Sequence, residues 1–412
     1  MRIAPLSIVI IGAGIAGCSA AIALTQAGHK VRVLERQDAW RFQSSGIFVY
    51  SNGLEALEDL GVLPDILATG FAIPGGVNAY FDHHGAPIVD TRYPTARGGR
   101  IPAIVGIKRA ELHRILSARM MALGVAVSLG VQVTGLTQGT GAAVVSTGAA
   151  VVSTGAAVVS TGADDALTAD LVIGADGVRS WVRGQIAPDV TPRYTGFGVW
   201  RSVHHRPADL AQKIMMMGPA KRYGIMPISD DLLYTFGTVA HPKGDHIPPA
   251  DWPARMRAAF AEFAGPVAPF RTQIGPDSEV LFTAVEEIAM PLPWHAGRVL
   301  LIGDAAHAST PFMGQGGAMA MQDGVVLARA LAAAPDLPDA LDMFEALRFP
   351  ICQFVQDVSR AVGEAGAAED VTDLPARNAR LADTAQASVD GFYGKLGALN
   401  ADVDQRLRTL GA

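Results

Sequence analysis

Short apolar runs recur along this chain, and three of them end in clusters of small or acidic residues. Ser7 to Ile11 reads as a buried strand, Ile15 to Ala27 as a helix ended by Gly28, and Val31 to Leu34 as a second strand. Leu171-Val172-Ile173 runs into Gly174-Ala175-Asp176-Gly177, and Val299 to Ile302 runs into Gly303-Asp304-Ala305-Ala306-His307. Fully apolar strands of this kind are buried on both faces, as in a parallel sheet covered by helices. Ligands of such sheets sit beyond the carboxyl ends of the strands, so the three turns are the places to look for chemistry.

Two stretches differ in character. Residues 72–105 and 185–286 carry more Pro and aromatic residues and short strand-like runs, such as Gly196 to Val203 and Leu232 to Val239. They read as one mainly antiparallel sheet assembled from two insertions. After Gln322 the pattern turns Ala-rich and amphipathic and stays helical to Leu410. The unit Gly-Ala-Ala-Val-Val-Ser-Thr stands at 141–147, 148–154 and 155–161. Adjacent valines and a glycine in every unit make a poor helix, so the repeat reads as a β-ribbon, a tandem duplication in a surface hairpin without chemistry of its own.

Composition narrows the classes. The 412 residues, half of them hydrophobic, are enough for two or three domains. A net charge of −6 gives no reason to expect nucleic acid or an acidic membrane as a partner. Cys18 and Cys352 are the only cysteines, which excludes a disulfide framework and suits a reducing cytoplasm. Arg2 and the apolar run to Cys18 imitate a lipoprotein signal, but Gly12, Gly14 and Gly17 interrupt the run, and a helix and a strand follow. The run lengths stay below the roughly 18–20 apolar residues that span a bilayer. The pairs His83-His84 and His204-His205 lack metal-ligand spacing, so no metal is expected.

Gly12-Ala13-Gly14-Ile15-Ala16-Gly17 follows a strand and opens a helix, and Glu35 closes the second strand about 20 residues on, as a dinucleotide fingerprint requires. Gly12 allows the tight turn, Gly14 lets the backbone approach a pyrophosphate, and Gly17 permits close helix–strand packing. Glu35 can accept both ribose hydroxyls. Arg36 and Val131 complete the candidate contacts around it.

The other two turns resemble those of the class A flavoprotein monooxygenases, the family of para-hydroxybenzoate and salicylate hydroxylases. Gly174-Ala175-Asp176-Gly177-Val178-Arg179-Ser180 is similar to that family's DG motif. Gly303 to His307, followed by Pro311, Gly314, Gln315, Gly316 and Gly317, is similar to its GD motif. Lys108-Arg109-Ala110-Glu111-Leu112 resembles the segment whose Arg contacts the flavin. The resemblance covers most of residues 1–360 and is weakest in the repeat and the C-terminal tail. It implies a Rossmann-like FAD-binding domain (1–71, 106–184 and 287–360), an inserted substrate-binding β-sheet domain (72–105 and 185–286) and a C-terminal helical region (361–412).

Carried over by residue, the resemblance implies that Glu35 binds the adenosine ribose, Asp304 the ribityl chain and Arg109 the flavin side of the pyrophosphate. Asp176 would serve FAD and NAD(P)H together. Pro311 to Gly317 would present backbone N–H groups and a helix N-terminus to the flavin pyrimidine ring, with Gly316 read as a position of positive φ or of open approach to the ring. The implied chemistry is hydroxylation of a small aromatic or heteroaromatic substrate. NADH or NADPH reduces FAD, dioxygen adds as a flavin C4a-hydroperoxide, and one oxygen passes to an electron-rich carbon. A second GxGxxG for the transient hydride donor is missing, as in this family.

Trp200, Arg201, His204, His205, Tyr223 and Met226 fall on the expected substrate sheet, where Arg201 can hold a carboxylate bidentately. Arg201, Tyr223 and His204, with Pro311 and Phe312, form the candidate catalytic set. Residues 41–50 are a further candidate wall, although Ser44-Ser45 before Gly46-Ile47 departs from the family pattern. The alternative class is an FAD-dependent reductase or dehydrogenase without oxygen transfer. A halogenase would carry Trp-x-Trp-x-Ile-Pro, which is missing beside Trp181, Trp200 and Trp252. The non-enzymatic alternative is a nucleotide-binding regulator. A monomer or homodimer in the cytoplasm is expected.

Overall fold

The computed structural model describes residues 3–41, 45–139, 142–146, 159–161, 165–367 and 373–411. Its base is a six-stranded sheet in the order His295–Ala296, Val299–Leu301, Leu171–Gly174, Ser7–Ile11, Lys30–Leu34, Ala126–Ser128. Every neighbouring pair is parallel except the first. Ile8, Val9 and Ile10 are almost fully buried, as are Leu171 to Ile173 and Val299 to Leu301. Each such side chain contributes about 1.5–3 kcal/mol by leaving water, which is why these three runs read as unbroken hydrophobic stretches.

Helix Ile15–Gln26 packs between this sheet and helix Gly316–Ala333. The two helices approach closely because both are rich in small residues: a Cβ on Gly324 would lie 2.7 Å from the Ala20 backbone. Cys18 is buried in the first helix, where its thiol reaches the Ala13 carbonyl at 3.2 Å.

Above the base lies a seven-stranded sheet in the order Val280–Glu287, Arg193–His205, Leu232–Ala240, Lys221–Pro227, Lys213–Gly218, Val77–Asp82, Pro87–Arg92. Its strands come from two separate stretches, joined by the sheet's one parallel pair, Lys213–Gly218 on Val77–Asp82. The joint is parallel because the two segments are distant in sequence and no hairpin turn sets their direction. A three-stranded sheet, Gly46–Tyr50, Ile104–Lys108 and Phe71–Ala72, bridges the two layers.

Alternation sorts the side chains of the seven-stranded sheet. Trp200, Ile214, Met216, Tyr223, Ile225 and Leu233 point to one side, where Phe260, Phe263 and Phe270 from the segment 252–273 close a separate core. Tyr234, Phe236, Met226 and Val203 point to the other side and join the main core. The long helices Leu337–Ala367 and Leu374–Gly411 complete the chain. Among the described residues no helix is long and apolar enough to cross a membrane.

The second unit of the repeat, 148–154, lies outside the described residues. The described parts are more than a hairpin: Ala142–Ser146 and Val159–Thr161 flank Asp165–Ala169 on its two sides, in a four-stranded sheet with Gly135–Gly139. Val145 and Val159, equivalent positions of the repeat, both pair with Leu167. Removing 148–161 therefore takes away one edge strand and leaves Ala142–Ser146 on both of its neighbours. The deletion variant is expected to keep its bound flavin and to melt within a few degrees of the parent, since added loop length costs little. Visible flavin absorbance and a thermal melt measure this, and loss of folding would place the ribbon in the core.

Candidate active site

The first turn is shaped by close backbone packing. Gly12 has φ +105°, and a Cβ there would sit 2.5 Å from the Ala175 carbonyl oxygen. A Cβ on Gly17 would collide with the Gly12 carbonyl oxygen. Gly14 instead faces open space, with nothing within 4 Å of an added Cβ. The turn thus packs on two sides and exposes its middle glycine, the geometry a pyrophosphate needs. Glu35 is half-buried at the end of the second strand; one oxygen accepts from the Ala13 N–H and the other from the Gln37 N–H, both at 2.9 Å. Each carboxylate oxygen retains a lone pair for a ribose hydroxyl. Val131 donates its N–H to the Glu35 carbonyl at 2.9 Å, which brings the 131 segment beside this site, and Arg36 is exposed next to it.

Asp176 is bonded to the helix that follows it. Its carboxylate accepts from Ser180 Oγ at 2.5 Å and from the Trp181 and Val182 N–H groups at 2.7 and 3.0 Å. It satisfies first-turn donors of helix Trp181–Ile186, whose N-cap is Ser180. From the same helix, buried Arg183 donates to the carbonyls of Val178, Val190 and Ala305. The second turn is thereby tied to the third.

Gly303 enters the third turn at φ +59°. Asp304 heads the short helix Asp304–His307, exposed, and among the described residues no group bonds its carboxylate. Behind it, Asp323 is completely buried and holds three groups. Its Oδ2 accepts from the Gly303 N–H at 2.8 Å and from His307 Nε2 at 2.7 Å, and its Oδ1 from Arg348 Nε at 2.8 Å. Burial alone would raise Asp323, but the charges of His307 and Arg348 outweigh it and hold the carboxyl below its ordinary value. Burial would lower His307; Cys352 and Asp323 overcome it and lift the imidazole well above 6.5. The ligand atoms of His307, Asp323 and Cys352 lie within 4.8 Å of one another. The Arg348 guanidinium, bonded to Asp323 and 3.7 Å from the Cys352 sulfur, occupies the place of a cation. His307 therefore braces the third turn against Asp323.

Pro311–Met313 forms a single helical turn that ends at Gly314, φ +64°. Helix Gly316–Ala333 begins two residues later. The constrained glycine is Gly314 and not Gly316: a Cβ on Gly314 would lie 2.1 Å from the Phe48 ring, whereas Gly316 has an ordinary φ and its nearest neighbour at 3.7 Å. Gln315, buried, accepts from Asn52 Nδ2 at 2.9 Å and donates to the Tyr393 hydroxyl at 3.3 Å. Phe312 packs edge-on to Phe197 and under the Arg222 guanidinium.

The candidate catalytic set divides between the two faces of the seven-stranded sheet. His204 and Tyr223 lie on the far face: Tyr223 stacks on Phe260, and His204, its imidazole pushed down to about 4 by burial, bonds Ser202 Oγ at 2.6 Å. They are core groups. Arg201 alternates onto the face that carries Tyr234, donates to Thr283 Oγ1 at 3.2 Å, and is pushed down to about 10 by burial. Sequence reading did not single out Lys213, Tyr93, Tyr234 or Tyr393, and reached Tyr50 only as the end of the 41–50 wall. Counting alternate positions along Lys213–Gly218 would have put Lys213 on the side opposite Ile214 and Met216.

Three strand-end turns on adjoining parallel strands, an acidic residue at the second strand end and an Asp304 without a partner among the described residues fit the frame of a dinucleotide-dependent oxidoreductase. Residues 6–359 match the FAD binding domain family. The aurachin C monooxygenase/isomerase of Stigmatella aurantiaca is 31% identical over 351 residues, 83% of this chain and 85% of that protein. The 2-heptyl-3-hydroxy-4(1H)-quinolone synthase of Pseudomonas aeruginosa is 32% identical over 381 residues, 90% and 93% of the two chains. The crystal structure of Klebsiella pneumoniae HpxO with FAD and uric acid superposes with a TM-score of 0.80 at 27% identity, covering 95% of this chain and 96% of that one. The chain belongs to the class A FAD-dependent aromatic-ring monooxygenases.

Replacing Asp323 by Asn should cost about 3–5 kcal/mol of stability, because the His307 and Arg348 charges are left buried and underpaired. Chemical denaturation measures it. His307 adds a signed pH dependence. With its folded value raised, its contribution is complete below about pH 6.5 and declines as pH rises through the raised value, so in a His307→Gln variant the stability deficit should shrink toward alkaline pH.

Proposed function

We propose that this monooxygenase hydroxylates a small heteroaromatic substrate bearing an acidic ring hydroxyl or oxo group, with NADH or NADPH as transient electron donor and dioxygen as oxidant. The carrying observation is the packing of the third turn on the first, where a Cβ on Gly303 would lie 2.7 Å from Ala16, and of Gly314 on Phe48, whose ring stacks with Tyr234 on the Arg201 face of the seven-stranded sheet. The name of the quinolone synthase supports a bicyclic heteroaromatic ring.

Bound FAD, once reduced, activates dioxygen and supplies the oxygen atom. The chain does the rest. Glu35 would hold the ribose, the Gly12–Gly17 turn the pyrophosphate, Arg109 its flavin side and Asp304 the ribityl hydroxyls. The N-terminus of helix Gly316–Ala333 would favour negative charge on the ring system beside it. Pro311 and Phe312 wall the site, and Arg201 orients an anionic substituent. The packed aromatic layer between the sheets excludes water.

Asp304→Ala should weaken FAD binding roughly 10- to 100-fold, the loss of charge-assisted hydrogen bonds to hydroxyls. Flavin release on dialysis reports it, and full retention would remove Asp304 from the cofactor site. Gly314→Val should slow flavin reduction or uncouple turnover, while Gly316→Ala should behave like the parent, because only Gly314 sits in the left-handed region against a ring. For the activity, hydroxyquinolones, hydroxypyridines and hydroxybenzoates should each be scored by substrate-dependent acceleration of NAD(P)H and oxygen consumption. Accelerated NAD(P)H oxidation with no oxygen incorporated into product would point to a reductase.

A further inference from the structure

Lys213 is buried on the sheet face opposite Ile214 and Met216, burial pushes its ammonium down to about 8, and among the described residues no carboxylate pairs with it. Its ammonium donates to the hydroxyls of Tyr93 at 3.1 Å and Tyr50 at 3.3 Å. It also lies over three ring faces, Tyr93 at 5.0 Å, Phe48 at 5.1 Å and Tyr50 at 5.8 Å. Both phenols are pushed above their ordinary values by burial, so neither supplies a counter-charge. Ring faces and neutral hydroxyls offset part of the cost of burying an ammonium, but the charge still lacks an anion. An ammonium has three donors, and the two phenols take two.

The cage adjoins the turn assigned to the flavin. The Phe48 ring that covers Lys213 is the one packed on Gly314. Tyr393 lies 5.5 Å from Tyr50 and 5.6 Å from Tyr93, ring to ring, and accepts from Gln315 at the start of helix Gly316–Ala333. Arg201 serves another part of the same face. Register pairs Arg201 with Phe236, Phe236 with Gly224 and Gly224 with Met215, so it lies three strands from Lys213 and in the neighbouring row.

We propose that Lys213, in its cage of Tyr50, Tyr93 and Phe48, is the subsite that recognises the ring oxyanion of the substrate, the ammonium taking the deprotonated hydroxyl while the aromatic faces take the ring. This deepens the proposed function and rests on it. Holding the substrate as its oxyanion raises electron density on the ring, the form that accepts an electrophilic oxygen.

The test uses the FAD-loaded enzyme and two matched probe pairs: 3-hydroxy- and 3-methoxy-4(1H)-quinolone, and 4-nitrophenol and 4-nitroanisole. Dissociation constants come from perturbation of the flavin spectrum. The parent should prefer the hydroxy member of a pair, and Lys213→Met should reduce that preference about 10- to 100-fold with little change for the ether. Lys213→Arg should keep much of it. Flavin content and melting temperature check that each variant is folded. Equal preference in parent and Lys213→Met overturns the subsite, as does a parent that binds neither pair. A Lys213-dependent preference seen only for nitrophenol upholds the subsite and rejects the bicyclic substrate class.

Discussion

The buried carboxylate of Asp323 fixes the position from which the rest of the site is built. A charge with no exposure must be matched on nearly every lone pair, and Asp323 is matched from three directions: the Gly303 backbone, the His307 ring and the Arg348 guanidinium. These partners belong to the third strand-end turn and to helix Leu337–Ala367, while Asp323 belongs to helix Gly316–Ala333. One carboxylate thus clamps the turn between the helix that leaves it and the helix behind. Asp304 is the next residue after Gly303, so its exposed direction is set by a bond it does not itself make. Arg183 performs the matching task for the second turn by reaching the Ala305 carbonyl.

Such clamps are hard to read from a sequence, and the reason is physical. The strands Ser7–Ile11, Leu171–Gly174 and Val299–Leu301 were legible because burial on both faces leaves an unbroken apolar run, and their turns were legible because a cofactor demands small residues there. Arg348 stands on an amphipathic helix among other charged residues, and Asp323 is one of two charges, with Arg329, on an Ala- and Met-rich helix, but nothing local says that the two meet. Asp176 shows the converse limit: its motif was recognisable, but whether a carboxylate faces a ligand or bonds the helix that follows it depends on the path of the following residues. At Gly316 the backbone has an ordinary φ and open space, while the left-handed glycine of this turn is Gly314, which Phe48 also crowds from more than 260 residues away in the chain.

The seven-stranded sheet carries the same lesson at larger scale. Arg201, His204 and Tyr223 cluster in sequence terms as polar groups on one predicted sheet, yet the two-residue period sends the last two into the core against Phe260 and Phe270. Parity was available from the sequence alone; which parity faced the base domain was not, since both faces are largely apolar and each is covered, one by the segment 252–273 and the other by the main core.

The polar content of the covered face is concentrated where the layers meet. The tyrosines beside Lys213 come from three places, Tyr50 at the end of the bridging strand Gly46–Tyr50, Tyr80 on Val77–Asp82 and Tyr93 just past Pro87–Arg92, and Tyr393 on the last helix packs on Tyr50 and Tyr93. The family match ends at residue 359, and Leu374–Gly411 lies beyond it. That helix is fastened at the sheet edge by Gln386 to the Arg92 backbone and by Arg377 to the carbonyls of Met217 and Gly218, and at the base by Asp404 to Arg329. It seals the open edge of the interface and delivers one phenol to Gln315. The helix thus joins the edge of the seven-stranded sheet to the start of helix Gly316–Ala333, so a change at Tyr393 reaches both the aromatic layer and the third turn.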